Sequence, residues 1–181
     1  MKVFVSSVFS NNGAVAVNLK INEELPPRIT ALGKTWLIKS GFHVQVLSRN
    51  HHILDHLGHG MAKLSKYGHL LSDLVNDGRA MAVRVNPMVY HVVKPYEKPE
   101  PHVRESLIVV CEISKATDFL DRLKTELGID VGTVPLHITL YTLDRAGSSD
   151  GIGLLTDEDF LRFSKVVLPT DLPTELVSVL I

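Results

Sequence analysis

The chain of 181 residues carries a net charge of −1 and a single cysteine, with 45% hydrophobic and 22% charged residues. That length suffices for one domain with its own core, and one cysteine excludes both an intramolecular disulfide framework and a cysteine-rich zinc module. No apolar stretch approaches the roughly 18 residues that span a bilayer, and the start MKVFVSSVFSNNG lacks the apolar region of a signal peptide, so a cytoplasmic protein with no membrane contact is expected.

In chain order, residues 14–19 form a short apolar run that predicts a buried strand. Residues 22–39 place Leu25, Ile29, Leu32 and Trp36 at helical spacing, with Pro26-Pro27 suited to a first turn, and predict a helix. Residues 42–47 predict a strand, and 51–75 one or two short helices interrupted by Gly58, Gly60 and Gly68. Residues 80–85 and 88–93 predict strands about a turn at Asn86-Pro87, 94–101 a loop, and 107–113 a strand containing a buried Cys111. Residues 117–127 predict a helix stopped by Gly128, and 134–143 a strand. Residues 146–153 read as a connector, Thr156 as a helix N-cap, and 176–181 as an apolar end. The order is mixed α and β without the regular alternation of a doubly wound parallel sheet, and strand–helix–strand recurs over 14–47 and 107–143.

Each recurrence ends in a strand with a histidine: Phe42-His43-Val44-Gln45-Val46-Leu47 and Leu136-His137-Ile138-Thr139-Leu140-Tyr141, the histidines 94 residues apart. Alternation puts His43 with Gln45 on one face and His137 with Thr139 and Tyr141 on another, leaving Val44, Val46, Ile138 and Leu140 to be buried. Either histidine alone is an ordinary amphipathic-strand residue; the pair carries the argument. Side by side, the strands would line a groove with two imidazoles and two hydrogen-bonding groups. Such a set suits cleavage of a phosphodiester: one imidazole removes a proton, the other protonates the departing oxygen, and Thr139 and Gln45 bond the non-bridging oxygens. No metal or other cofactor is required. Tyr141, on the His137 face, and Arg49, continuing the odd-numbered face of the first strand, are candidate substrate contacts.

These residues resemble the two His-x-Thr/Ser-x motifs of the 2H phosphoesterase superfamily, which includes RNA ligase-like 2′,3′-cyclic phosphodiesterases. Pro135-Leu136-His137-Ile138-Thr139-Leu140 matches closely; the first motif departs, with Gln45 where the family has Thr or Ser. The resemblance covers about residues 14–143. It implies an α+β, bilobed, pseudo-twofold fold over residues 1–181, with two mostly antiparallel sheets forming a central groove and helices outside. It also implies a phosphodiesterase with catalytic His43 and His137, phosphate-binding Thr139 and Gln45, and a nucleotide or RNA-end substrate, involved in RNA processing. No obligate protein partner is evident, and a monomer is expected.

Two alternatives stay beside this one. Gln45 admits a protein that binds nucleotides or RNA ends with weak or no catalysis. The run His51-His52-Ile53-Leu54-Asp55-His56-Leu57-Gly58-His59 offers His52, His56 and His59 at helical spacing as ligands of a hydrolytic metal ion, against ordinary surface histidines. The near-neutral total hides a basic stretch, eleven Lys and Arg against five Asp and Glu over residues 28–104 (net +6). An acidic one follows, six against thirteen over 105–181 (net −7). The basic stretch is either solvated or anion-facing.

Overall fold

The computed structural model describes residues 1–96, 102–132, 135–143 and 152–181. Expectations for the loop beyond residue 96, for the start of the strand at 134 and for the connector at 146–151 lie outside these residues. The chain opens with a hairpin of β1 (Val3–Asn11) and β2 (Ala14–Ile21), turned at Asn12 and Gly13, both with positive φ, as a two-residue hairpin loop requires.

Residues 22–39 do not form a helix. They carry β3 (Arg28–Ala31) and β4 (Lys34–Ile38), a hairpin turned at Leu32 and Gly33, again both at positive φ. The apolar residues that mimic a helical stripe are cross-strand neighbours here: Ile29 pairs with Trp36, and Thr30 with Thr35. Trp36 is fully buried and its indole N–H donates to the Ala31 carbonyl at 2.9 Å. The strand β5 (Phe42–Leu47) follows, then a 3-10 turn (Arg49–His51), α1 (Ile53–Leu57) and α2 (Met61–Asn76).

The two strands expected about Asn86-Pro87 are one, β6 (Val83–Tyr96). Between Val85 and Val89 its register against β7 (His102–Ile113) shifts, so Pro87 lies in a bulge, where no ladder donor is needed. After β7 come α3 (Ser114–Leu127), ended by Gly128 at φ 69°, and β8 (His137–Leu143). The chain continues through α4 (Asp157–Phe163), capped by the Thr156 hydroxyl, β9 (Ser164–Val166) and α5 (Thr174–Leu180).

The protein is α+β with two antiparallel sheets, one in the order β1-β2-β5 and the other β3-β4-β8-β7-β6-β9. Each histidine strand is the third member of an antiparallel trio, β1-β2-β5 and β6-β7-β8. The crossover to the third strand is the hairpin β3-β4 in the first trio and the helix α3 in the second, so only the second is the expected strand–helix–strand. One apolar core joins the sheets, with Val17 and Val44 from the first, Val109 and Ile138 from the second, and Leu70 and Leu123 from α2 and α3. A smaller cluster of Val92, Ile108, Ile152 and Leu154 fastens the C-terminal part onto the other face of the larger sheet. Among the described residues no helix is long and apolar enough to cross a membrane.

Candidate functional site

Strand pairing fixes where the two histidines point. On β5, His43 stands opposite Asn18 and Gln45 opposite Ala16, but the next pair is Leu47 with Val15, so Val46 is passed over. On β8, His137 stands opposite Val110 and Thr139 opposite Ile108, and the next pair is Tyr141 with Leu107, so Leu140 is passed over. The register shifts at the third residue after each histidine, and a one-residue shift inverts the faces beyond it. This is why Tyr141 does not share the face of His137 and Thr139. Its ring is fully buried in the core and its hydroxyl donates to the Pro26 carbonyl at 3.0 Å, with burial pushing its pKa up to about 12. Arg49 is likewise off the site: β5 ends at Leu47, and Arg49, itself exposed, begins the 3-10 turn beyond it.

His43, Gln45, His137 and Thr139 line one cleft of about 90 Å³, closed on one side by Ile152 and Gly153. His137 is buried, and both ring nitrogens meet carbonyl oxygens: Nδ1 lies 2.7 Å from Pro135 O and Nε2 3.1 Å from Ile152 O. A neutral imidazole has a single N–H, so only the imidazolium satisfies both contacts. Burial opposes that charge and lowers the His137 pKa below the ordinary 6.5; the two carbonyls raise it, and the charge of Lys94 lowers it again. His43 is half-buried and also lowered, first by burial, then by the nearby charges of Lys39 and His137. A second, more open groove of about 400 Å³ shares His43 and is lined by Asn18, Lys39, Ser40 and Phe42 among others.

The wall formed by Ile152 and Gly153 has no signal in the local sequence pattern, because distant residues hold it. Lys94 Nζ donates to the Gly153 carbonyl at 2.6 Å and to Asp159 at 2.8 Å, and the Gly153 N–H donates to the Tyr96 hydroxyl at 3.1 Å. Part of the basic middle stretch is answered by the acidic one: Lys34 pairs with Glu105 at 2.6 Å and Lys94 with Asp159, while Lys66 approaches Glu126 and Arg84 approaches Glu112. Lys39, whose charge acts on His43, and Lys94, whose charge acts on His137, are two basic residues of that stretch at the candidate site.

The histidine run after β5 does not form a metal centre. His52 has a left-handed backbone, φ 49°, between the 3-10 turn and α1, and its Nδ1 meets Asp55 at 3.2 Å. α1 ends at Leu57, so His59 is not on the helix with His56, and among the described residues no group of three His, Cys, Asp or Glu side chains is placed to hold a metal ion. His51 instead closes a capping box, its Nδ1 accepting from the Ser48 N–H at 3.2 Å. His91 bonds Glu105 at 2.9 Å and meets Trp36 edge-on, and His102 stacks on Tyr96. Comparison with protein-family models, with curated proteins and with solved structures gives no match.

Proposed function

We propose that the protein is a metal-independent phosphodiesterase of the 2H type, acting on a 2′,3′-cyclic phosphate at an RNA end or on a related cyclic or oligonucleotide. The observation that carries this reading is the single cleft lined by His43, Gln45, His137 and Thr139, two imidazoles and two hydrogen-bonding side chains drawn from two sheets. The recurrence of the antiparallel trio, with its register shift at the same place after each histidine, supports the pseudo-twofold arrangement of that family.

In hydrolysis one histidine takes a proton from water as its oxygen bonds to phosphorus, and the other gives a proton to the ribose oxygen as the P–O bond breaks. The products are a phosphomonoester and a free hydroxyl. Burial holds both histidines toward the neutral form; at His137 the two carbonyl contacts oppose this and Lys94 adds to it, and at His43 Lys39 adds to it. One of the pair serves as base and the other as acid. Thr139 and the longer Gln45 donate to the non-bridging oxygens, where charge builds. Substrate has to displace the Ile152 carbonyl from Nε2 of His137, with its own oxygen taking that place.

The same carbonyl, together with Gln45, supports a second reading, a groove that binds nucleotide ends without turning them over. One experiment separates the two: 2′,3′-cyclic nucleotides, 2′–5′ oligonucleotides and cyclic dinucleotides are assayed in EDTA with the wild type and His137→Ala. The hydrolase reading predicts turnover of at least one substrate, about a hundredfold or more lower in the variant. Because both histidine pKa values are lowered, kcat/KM peaks on the acidic side of 6.5. Binding without turnover favours the second reading, and equal turnover by both proteins contradicts the first.

A further inference from the structure

The cleft occupies one edge of a larger surface. The pairing of β1, β2 and β5 arranges the open face of the smaller sheet in cross-strand rows. Gln45, Ala16 and Phe9 form one row, with Ala16 buried between its two larger neighbours, His43, Asn18 and Ser7 the next, and Lys20 and Phe4 a third. The opposite face, with Val15, Val17, Leu19 and Val44, is buried in the core. Phe4 and Phe9 are 52% and 45% exposed, an unusual place for two of the six phenylalanines of the chain.

Their common face is a product of irregularity. Five residues apart on a regular strand, the two rings would point to opposite sides. The register of β1 against β2 shifts between Val5 and Ser7, passing over Ser6, and this brings Phe9 to the face of Phe4 and of His43. Strand spacing sets Phe9 about 10 Å from Gln45 across the sheet, and the rows of Phe9 and Phe4 about 13 Å apart. The surface between the rings is polar: the Asn18 side chain donates to the Ser7 hydroxyl at 2.9 Å, and Lys20 shares the row of Phe4.

Two separated aromatic rings with hydrogen-bonding groups and a cation between and beside them do not make the contiguous apolar patch of a protein interface. They match what a single-stranded nucleic acid presents, flat bases joined by a charged backbone. We propose that this face is a stacking platform for single-stranded RNA: the strand whose end lies between His43 and His137 carries its neighbouring bases across Phe9 and Phe4. This rests on the phosphodiesterase reading for the position of the strand's end, and it narrows the substrate class to an oligonucleotide rather than a mononucleotide.

The test is binding of a fluorescein-labelled oligouridylate of about eight nucleotides, ending in a 3′ phosphate, measured in EDTA by fluorescence anisotropy. Phe4→Ala and Phe9→Ala should each weaken binding about tenfold, with Phe9→Trp binding as tightly as the wild type. Met61→Ala, which removes an apolar side chain 79% exposed at the start of α2, should leave affinity unchanged. Circular dichroism confirms that each variant is folded. Equal affinity of the wild type and the Phe4→Ala/Phe9→Ala double variant overturns the platform. So does a wild-type dimer that Phe9→Ser splits into monomers without any binding of the oligouridylate. Turnover of a cyclic mononucleotide that depends on His137, with oligonucleotide binding indifferent to the phenylalanines, overturns the platform alone. Phenylalanine-dependent binding without turnover supports the platform and overturns the hydrolase reading.

Discussion

At the scale of single residues, environment separates side chains that the chain presents alike. His137 and Tyr141 lie four apart on β8, yet one opens on the cleft and the other fills the core, because Leu140 is passed over in the pairing with β7. The Tyr141 hydroxyl is therefore a structural donor to Pro26. Tyr141→Phe should cost about 1 kcal/mol in urea unfolding and leave turnover at the wild-type level; a large fall in turnover at unchanged stability would return this ring to the site. The alternation rule was sufficient for His43 with Gln45 and for His137 with Thr139, where the strands are regular. It failed two residues later, since a register shift depends on the partner strand and leaves no mark in β8 itself. Cys111 was legible as a small buried hydrophobe: burial pushes its thiol up to about 12, which leaves it without thiolate reactivity.

At the scale of elements, α3 and the β3-β4 hairpin mark the two ends of legibility. α3 buries Ala116, Phe119, Leu123 and Leu127 along one stripe and stops at Gly128, so its pattern has one solution. The spacing of Leu25, Ile29, Leu32 and Trp36 has two, and pairing with β8 selects the hairpin: Trp36 stands opposite Leu143 and Ile38 opposite Tyr141. Leu32 then becomes a turn residue, 37% exposed, instead of part of a buried stripe. The turn depends on Gly33 at φ 68°, where an added Cβ meets nothing within 4 Å, so substitution strains only the backbone. Gly33→Ala should lower stability by about 1 kcal/mol, read by Trp36 fluorescence in denaturant; an unchanged midpoint would mean that the turn is not left-handed at this position. The segment Ile152–Gly153 was illegible for another reason. What seats it over the cleft is Lys94, Tyr96 and Asp159, residues that nothing in the linear order relates to His137.

At the scale of the whole molecule, part of the charge asymmetry of the two parts of the chain is met in their contact, through pairs such as Lys34 with Glu105 and Lys94 with Asp159. The mixture of α and β without regular alternation was readable from element order, and the shared faces of His43 with Gln45 and His137 with Thr139 from alternation; the hairpin crossover in the first trio was not. Two sheets with a joint core each deliver one imidazole to one cleft, and on the proposed reading those imidazoles act on one phosphodiester as a unit. Residues that act as a unit are not additive when removed. The most direct measurement is kcat/KM for an oligonucleotide ending in a 2′,3′-cyclic phosphate, in EDTA, of the wild type, His43→Ala, His137→Ala and the double variant. Two imidazoles acting as a unit should show a loss of about a hundredfold or more from either single substitution and little further loss in the double variant. Full activity in either single variant, or losses that multiply in the double variant as for independent sites, would contradict it.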